Sequence, residues 1–234
     1  MNGCAAGERA LGVLIGSSIA IWKPFLRHCA SNAGWTARDN PLQDFVETAV
    51  QQSVSGLDLP ATRVIFSHAK TRHVQDAEPN YVIFQRAAVS ARLAWFDPVS
   101  HLLVHPTHGS WLALRALVVF DDVAVDAGAQ APSVPCPLSD ERRGVVAAAV
   151  ERAIEVSSRG QGAGAVDHEA VRFVWRLWVE SREALTPAHA GRYSEEQLQY
   201  HYTHDKALLE RCVAQQRRED DERVLKEIER EARE

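Results

Sequence analysis

From Leu11 to Ile15 the chain carries a short apolar run that stops at Gly16-Ser17-Ser18, which predicts a buried strand passing into a helix through Trp22 to about Cys29. Pro41 opens a second helical pattern, with Phe45, Val46, Val50 and Val54 at helical spacing, and the β-branched stretch Thr62–Ser67 predicts another strand. Asn80 to Phe96 fits strand or helix by pattern, and Ala87, Ala88, Ala91 and Ala94 favour helix for its middle.

The clearest local signal is a hairpin: Val99–His105, the turn Pro106-Thr107-His108-Gly109-Ser110, then Trp111–Phe120. Alternation along the second strand places Trp111, Ala113, Arg115, Leu117 and Val119 on one face and Leu112, Leu114, Ala116, Val118 and Phe120 on the other. A guanidinium sharing a face with an indole, on a mostly apolar strand, is poised for an anionic or stacked ligand. A loop rich in Asp, Ala, Pro and Ser leads to a helix capped by Ser139 and running to about Ser157, and Arg159–Ala165 reads as a flexible break. Asp167 caps a further helix ending near Leu185, on which Trp175, Trp178 and Arg182 share a face. Ser194 and Gln197 form a capping box opening a last helical pattern that continues to the terminus, almost wholly charged from Gln215 onward. The expected organisation is one domain over residues 1–212 and a charged helical or frayed tail over 213–234.

Composition narrows the class. With 234 residues and 46% apolar content the chain can bury a substantial core, and a net charge of −5 gives no reason to expect a nucleic acid or an anionic membrane as partner. Any anion site must then be a cluster of particular residues. Cys4, Cys29, Cys136 and Cys212 are widely spaced without a CxxC pair, which fits a reducing, cytoplasmic setting better than a disulfide or zinc framework. Ala10–Trp22 is too short to span a bilayer and follows Glu8 and Arg9 rather than a basic run.

His101, His105 and His108 invite a metal-triad reading, but no carboxylate or thiolate joins them at ligand spacing, and local hydrogen bonds account for them better. His201 and His204 make a weaker pair. There is no GxSxG elbow and no phosphate loop. Arg115 and Arg182, each on the tryptophan-bearing face of its element, stand above this background as carboxylate or phosphate partners, and ordinary ion pairing is the competing account of both.

Three blocks stand out in order along the chain: His105-Pro106-Thr107-His108-Gly109-Ser110-Trp111 continuing to Arg115; Trp175-Arg176-Leu177-Trp178 with Arg182 and Thr186-Pro187; and Arg192-Tyr193-Ser194-Glu195-Glu196-Gln197. Together they resemble the CblC family of cobalamin-processing proteins. Lys23-Pro24-Phe25-Leu26 adds a weaker fourth. The resemblance implies an α+β, flavin-nitroreductase-like fold, a mixed or antiparallel sheet flanked by helices with a helical C-terminal part. It implies base-off binding of cobalamin and removal of the upper axial ligand, by reductive decyanation with reduced flavin (FMN or FAD) and by glutathione-dependent dealkylation. Carried over by position, Arg115 and Arg182 would hold glutathione, with Lys206 the nearest counterpart of a third family arginine. Val82, Ile83, Phe84, Gln85, Phe96, Asp97, Pro98, Leu103 and Leu114 would meet the corrin. No D-x-H-x-x-G pattern is present, so cobalt would be held by the corrin and not by a protein ligand. The family's partners are other cobalamin-trafficking proteins and methionine synthase, and a monomer or ligand-dependent homodimer is expected.

The chain also departs from the family. Val89 stands where the family has a pocket histidine and Phe96 where it has a tyrosine; the segment before the first strand is missing, and an alanine- and glycine-rich insertion occupies Ala147–Ala165. Two other functions therefore stay open, a non-catalytic cobalamin carrier and a flavoprotein reductase of another substrate on the same fold.

Overall fold

A computed structural model describes residues 10–57, 62–71, 80–121, 123, 132–158 and 167–233. Its main sheet has three antiparallel strands in the order β1 (Ala10–Ser17), β7 (Ala113–Asp121), β2 (Thr62–Phe66). Before the central strand come α1 (Trp22–Ser31), α2 (Pro41–Ser55), the two-residue strands β3 (Lys70–Thr71) and β4 (Asn80–Tyr81), α3 (Phe84–Ser90), β5 (Trp95–Phe96) and β6 (Leu103–Val104). Among the described residues the elements after it are all helices: α4 (Asp140–Ser157), α5 (His168–Phe173), α6 (Trp175–Leu185), α7 (Glu195–Thr203) and α8 (Lys206–Glu231).

Local signals place the helix starts. The Ser139 hydroxyl accepts from the Arg142 N–H, the Asp167 carboxylate from the Glu169 N–H and the Ser194 hydroxyl from the Gln197 N–H, each satisfying an otherwise orphaned amide of a first turn. Two long helical patterns are nonetheless interrupted. Asp167 to Leu185 breaks at Val174, and the C-terminal pattern breaks where His204 adopts a left-handed conformation (φ 52°) and Asp205 caps α8 afresh. α8 then runs unbroken across residue 212; its last buried side chains are Val213 and Gln216. The Arg159–Ala165 stretch lies outside the described residues, as does Cys4.

The expected hairpin does not form. Leu103 and Val104 pair with Phe96 and Trp95, His105 bridges back to Gly109, and the chain then leaves to insert β7 between β1 and β2. The reason is burial: Ala116, Val118 and Phe120 pack with Val46 and Val50 of α2 in one core cluster, and both edges of β7 find partners far away in sequence. β1, expected as a buried strand, is instead an edge of this sheet with alternating exposure. A second core joins Trp22, Phe25, Leu26 and Cys29 of α1 to Leu208, Leu209 and Val213 of α8, and a third packs α4 against α6 through Val146, Ala149, Val150, Ala184 and Leu185.

Candidate functional site

Two features of the chain meet at β7. The first is a β-bulge. In the ladder with β1, Ile15 faces Ala116 and Gly16 faces Leu114, so Arg115 is an extra residue with no opposite number. Strict alternation fails there, and Arg115 no longer shares a continuous face with Trp111, which lies before the strand begins. The Arg115 Nε donates to the Ser17 hydroxyl at 2.8 Å, and its largely buried position pulls the guanidinium pKa down by desolvation.

The second feature is the packing of the three sequence blocks onto one another. Gly109 has φ 56°, and a β-carbon there would sit 2.9 Å from His189 Cδ2 and 3.0 Å from the Thr186 side chain, so only glycine lets the turn seat against the end of α6. The Ser110 hydroxyl donates to the Arg182 carbonyl at 3.0 Å and lies 2.8 Å from the Thr186 hydroxyl. Trp111 is thereby buried completely, packed with Val179, Tyr193 and Leu198. The Arg182 guanidinium lies 5.5 Å from the Trp111 ring centre and 5.9 Å from that of Tyr193, within cation–π range of both.

Arg182 is 6% exposed, yet its Nε and Nη1 have no hydrogen-bond partner, and the same holds for the buried Trp111 Nε1 and Gln197 Oε1. Among the described residues neither Arg182 nor Arg115 takes part in an ion pair. Ordinary ion pairing thus fails as an account of them. Arg192, 6.0 Å from the Trp111 ring on another side, is by contrast held by Glu183 (2.6 Å) and Glu195 (2.7 Å). The positive field of the pair reaches its neighbours: desolvation, then Arg182 and Arg115, lower the His201 pKa to about 3, so its imidazole is neutral at physiological pH. Desolvation raises the Tyr193 phenol despite the opposing pull of the same two arginines. A guanidinium cannot shed its proton, so this cluster suits a carboxylate-bearing ligand that supplies the missing negative charge.

Lys206 is exposed and donates to the Ala37 carbonyl at 3.3 Å, toward a different element from those gripping Arg115 and Arg182. The expected tryptophan neighbours also change. Trp178 Nε1 donates to the Ser157 hydroxyl at 3.1 Å and Trp175 stacks on Tyr202, so the indole beside Arg182 comes from residue 111 and not from its own helix.

Beside this cluster lie two cavities that share Gln85 and His101 in their walls. One, of about 230 Å³, is lined by Val82, Phe84, Gln85, Leu103 and Leu114 among others; the larger, of about 840 Å³, includes Ile83, Gln85, Val89 and Phe96. Asp97 and Pro98 line neither. Asp97 is buried, its carboxylate accepting from the Ser100 N–H at 2.8 Å and the Ser100 hydroxyl at 2.6 Å, and together they build the turn that follows β5. The histidines do not assemble as one strand face: His101 sits outside any strand with φ 56°, while His105 Nδ1 accepts the Thr107 and His108 amides at 3.0 and 3.2 Å. Among the described residues no group of histidines, cysteines and carboxylates is placed to hold a metal, and no helix is long and apolar enough to cross a membrane.

No family model matches the chain, and no curated protein does. A solved structure, the Caenorhabditis elegans B12-trafficking protein CblC, described as a homologue of human MMACHC, superposes with a TM-score of 0.58, covering 88% of this chain and 80% of the other. The chain has the fold of that CblC protein. Sequence identity across the superposition is 14%, so the likeness is one of fold, and the side chains must carry any statement about chemistry. Two residues weighed in the sequence, His101 as a metal ligand and Tyr193 as part of a resembling block, take different places in the structure. His101 at the wall between the cavities and Tyr193 beneath Arg182 had no local pattern to mark their roles, since both are placed by long-range packing.

Proposed function

We propose that this chain processes cobalamin in the cytoplasm on a flavin-nitroreductase-like α+β scaffold, taking the cofactor base-off as substrate and removing its upper axial ligand. The observation that carries the reading is the pair Leu114–Arg115: one lines the smaller cavity, and the next, on the bulge, belongs with Arg182 to the unpaired cationic cluster. An apolar chamber for a corrin and an anion clamp for a carboxylate-bearing thiol thus adjoin on one strand. Val82, Ile83, Phe84, Gln85, Phe96, Leu103 and Leu114 would contact the corrin, with Asp97 and Pro98 shaping the turn behind it.

The unpartnered Arg182 donors fit the carboxylates of glutathione, and Lys206 would add a weaker, non-bidentate contact. In dealkylation the thiolate attacks the cobalt-bound carbon; a sulfur–carbon bond forms, the carbon–cobalt bond breaks, and its electron pair stays on cobalt as cob(I)alamin. Arg115 and Arg182 bind and orient the thiol's carrier while the apolar walls keep water from the reacting bond. Reduced FMN or FAD would supply the electron that releases cyanide from cyanocobalamin, leaving cob(II)alamin. Delivery to other cobalamin-trafficking proteins or methionine synthase follows from the same reading.

Titration with cyanocobalamin, followed by visible absorption with and without reduced flavin, tests binding and decyanation; methylcobalamin with glutathione under anaerobic conditions should give the cob(I)alamin spectrum. Arg115→Ala is expected to lose dealkylation before it loses cobalamin binding, and equal activity in that variant would remove the clamp argument. A second reading, a non-catalytic carrier, is favoured by Val89 and Phe96, which leave the larger cavity's wall apolar. It predicts a base-off shift without turnover by either reductant.

A further inference from the structure

The wall of the larger cavity is apolar at Val89 and Phe96 but carries Arg86, Ser90, His101 and Ser133 at its exposed side. Arg86 and Ser90 are one helical turn apart on α3, on the face that also presents Val89. Among the described residues Arg86, exposed at the rim of the cavity, has neither an ion pair nor a hydrogen bond, so its guanidinium is uncommitted there. His101 lines the same cavity from another chain segment, in a left-handed conformation (φ 56°) that a histidine adopts only at a cost. The surrounding turn enforces it: the buried Asp97 carboxylate holds Ser100 by two hydrogen bonds, and the Leu102 N–H donates to the Ser100 hydroxyl at 3.3 Å. The ring is steadied against Phe96, 5.9 Å between centres. This turn thus places an imidazole, which keeps an N–H donor in either protonation state, in the lining of the same cavity as the Arg86 guanidinium.

We propose that Arg86 and His101 hold the phosphodiester of the displaced nucleotide loop, so that this cavity distinguishes complete cobalamins from corrinoids lacking the loop. The inference rests on the reading of the two cavities as a corrinoid site. The chemistry selects the phosphodiester: the corrin periphery carries neutral amides, which need hydrogen bonds and not a counter-charge, whereas the loop's phosphodiester is the anion of the molecule. Once the lower base leaves cobalt, that anion must be set down away from the macrocycle, and a planar multi-donor cation with an imidazole N–H is matched to its oxygens.

The test compares cobalamin with cobinamide, which has the same corrin and no nucleotide loop, by visible-absorption titration of the full chain and of Arg86→Gln and His101→Asn. Asparagine tolerates the left-handed backbone, so the second variant removes the imidazole without straining the turn. The expected result is about a tenfold loss of cobalamin affinity in Arg86→Gln, the size of one charge-assisted hydrogen bond, with cobinamide affinity unchanged, and a smaller loss with the same selectivity in His101→Asn. Equal weakening of both corrinoids, or no weakening of cobalamin, overturns the proposal while leaving the corrinoid site standing. If neither corrinoid binds the unmodified chain, the site itself and the proposal fall together.

Discussion

Replacing Arg182 with methionine separates what this residue does for the fold from what it does for a ligand. The residue is 6% exposed, two of its guanidinium nitrogens have no partner, and among the described residues no carboxylate pairs with it. Exchanging buried charge for an apolar side chain of similar length gains about 1–4 kcal/mol even when the charge was paired. Against this stands the loss of two ring contacts, at 5.5 and 5.9 Å, each worth about 0.5–2 kcal/mol. The two ranges offset, so the net change in stability stays within about 2 kcal/mol of zero, or roughly 8 °C in Tm at most for a chain of this size. The hydrogen bond from Ser110 survives, because it ends on the Arg182 carbonyl. Thermal and urea unfolding measured with and without glutathione give the assay. The unmodified chain should gain about 2.7 kcal/mol at a glutathione concentration 100 times its Kd, and Arg182→Met should gain nothing from the ligand. A variant less stable than the parent by more than about 2 kcal/mol would mean that the guanidinium is already compensated, and the argument for a poised anion site would fail.

Gly109→Ala should lower stability by about 1–3 kcal/mol in urea melts, because the new methyl meets His189 and Thr186 at 2.9–3.0 Å in a backbone conformation with positive φ. His201 has a pKa lowered to about 3, against an ordinary value of 6.5. The unfolded chain therefore binds its proton first, so stability contributed by this residue is complete above pH 6.5 and falls as pH drops toward 3, by about 1 kcal/mol per unit. Urea midpoints across that window should flatten in His201→Gln; an unchanged slope would contradict the assignment. Truncation after Asp221 should leave Tm within a degree or two, since residues 222–233 are exposed. Truncation after Cys212 should cost about 2–3 kcal/mol by stripping the buried Val213 and Gln216 from α1.

What was legible in the sequence was what is decided locally. Ser139, Asp167 and Ser194 cap the helices expected of them because a cap needs only the next three residues. Val99–His105 and Trp111–Phe120 were misassigned as partners because pairing is settled by which surfaces are buried. β7 satisfies both its edges with β1 and β2, segments far before it in the chain. The helix breaks at Val174 and His204 carry no Gly or Pro to announce them. For the site, residue type was readable and geometry was not. Arg115 and Arg182 were recognisable as unusual cations beside indoles, yet the indole near Arg182 is Trp111, and the aim of Arg115 is set by a register shift between Ile15 and Gly16.

The same contrast explains how a fold can hold a charge it does not neutralise. At the end of α6 the backbone is fixed by the Ser110 hydroxyl on the Arg182 carbonyl and by Thr186, and the turn containing Gly109 fits without a side chain between them. Aromatic faces from Trp111 and Tyr193 exclude water from the guanidinium but offer it no counter-ion. Position is thus secured through main-chain bonds and ring packing, which leave the planar donors of the side chain uncommitted. Arg192, the neighbouring arginine with two carboxylate partners, shows that the same few residues can neutralise a guanidinium where the fold uses it structurally. The difference between Arg182 and Arg192 is therefore chemical, and it is the physical ground for proposing a ligand at the first while the second is held by its carboxylate partners.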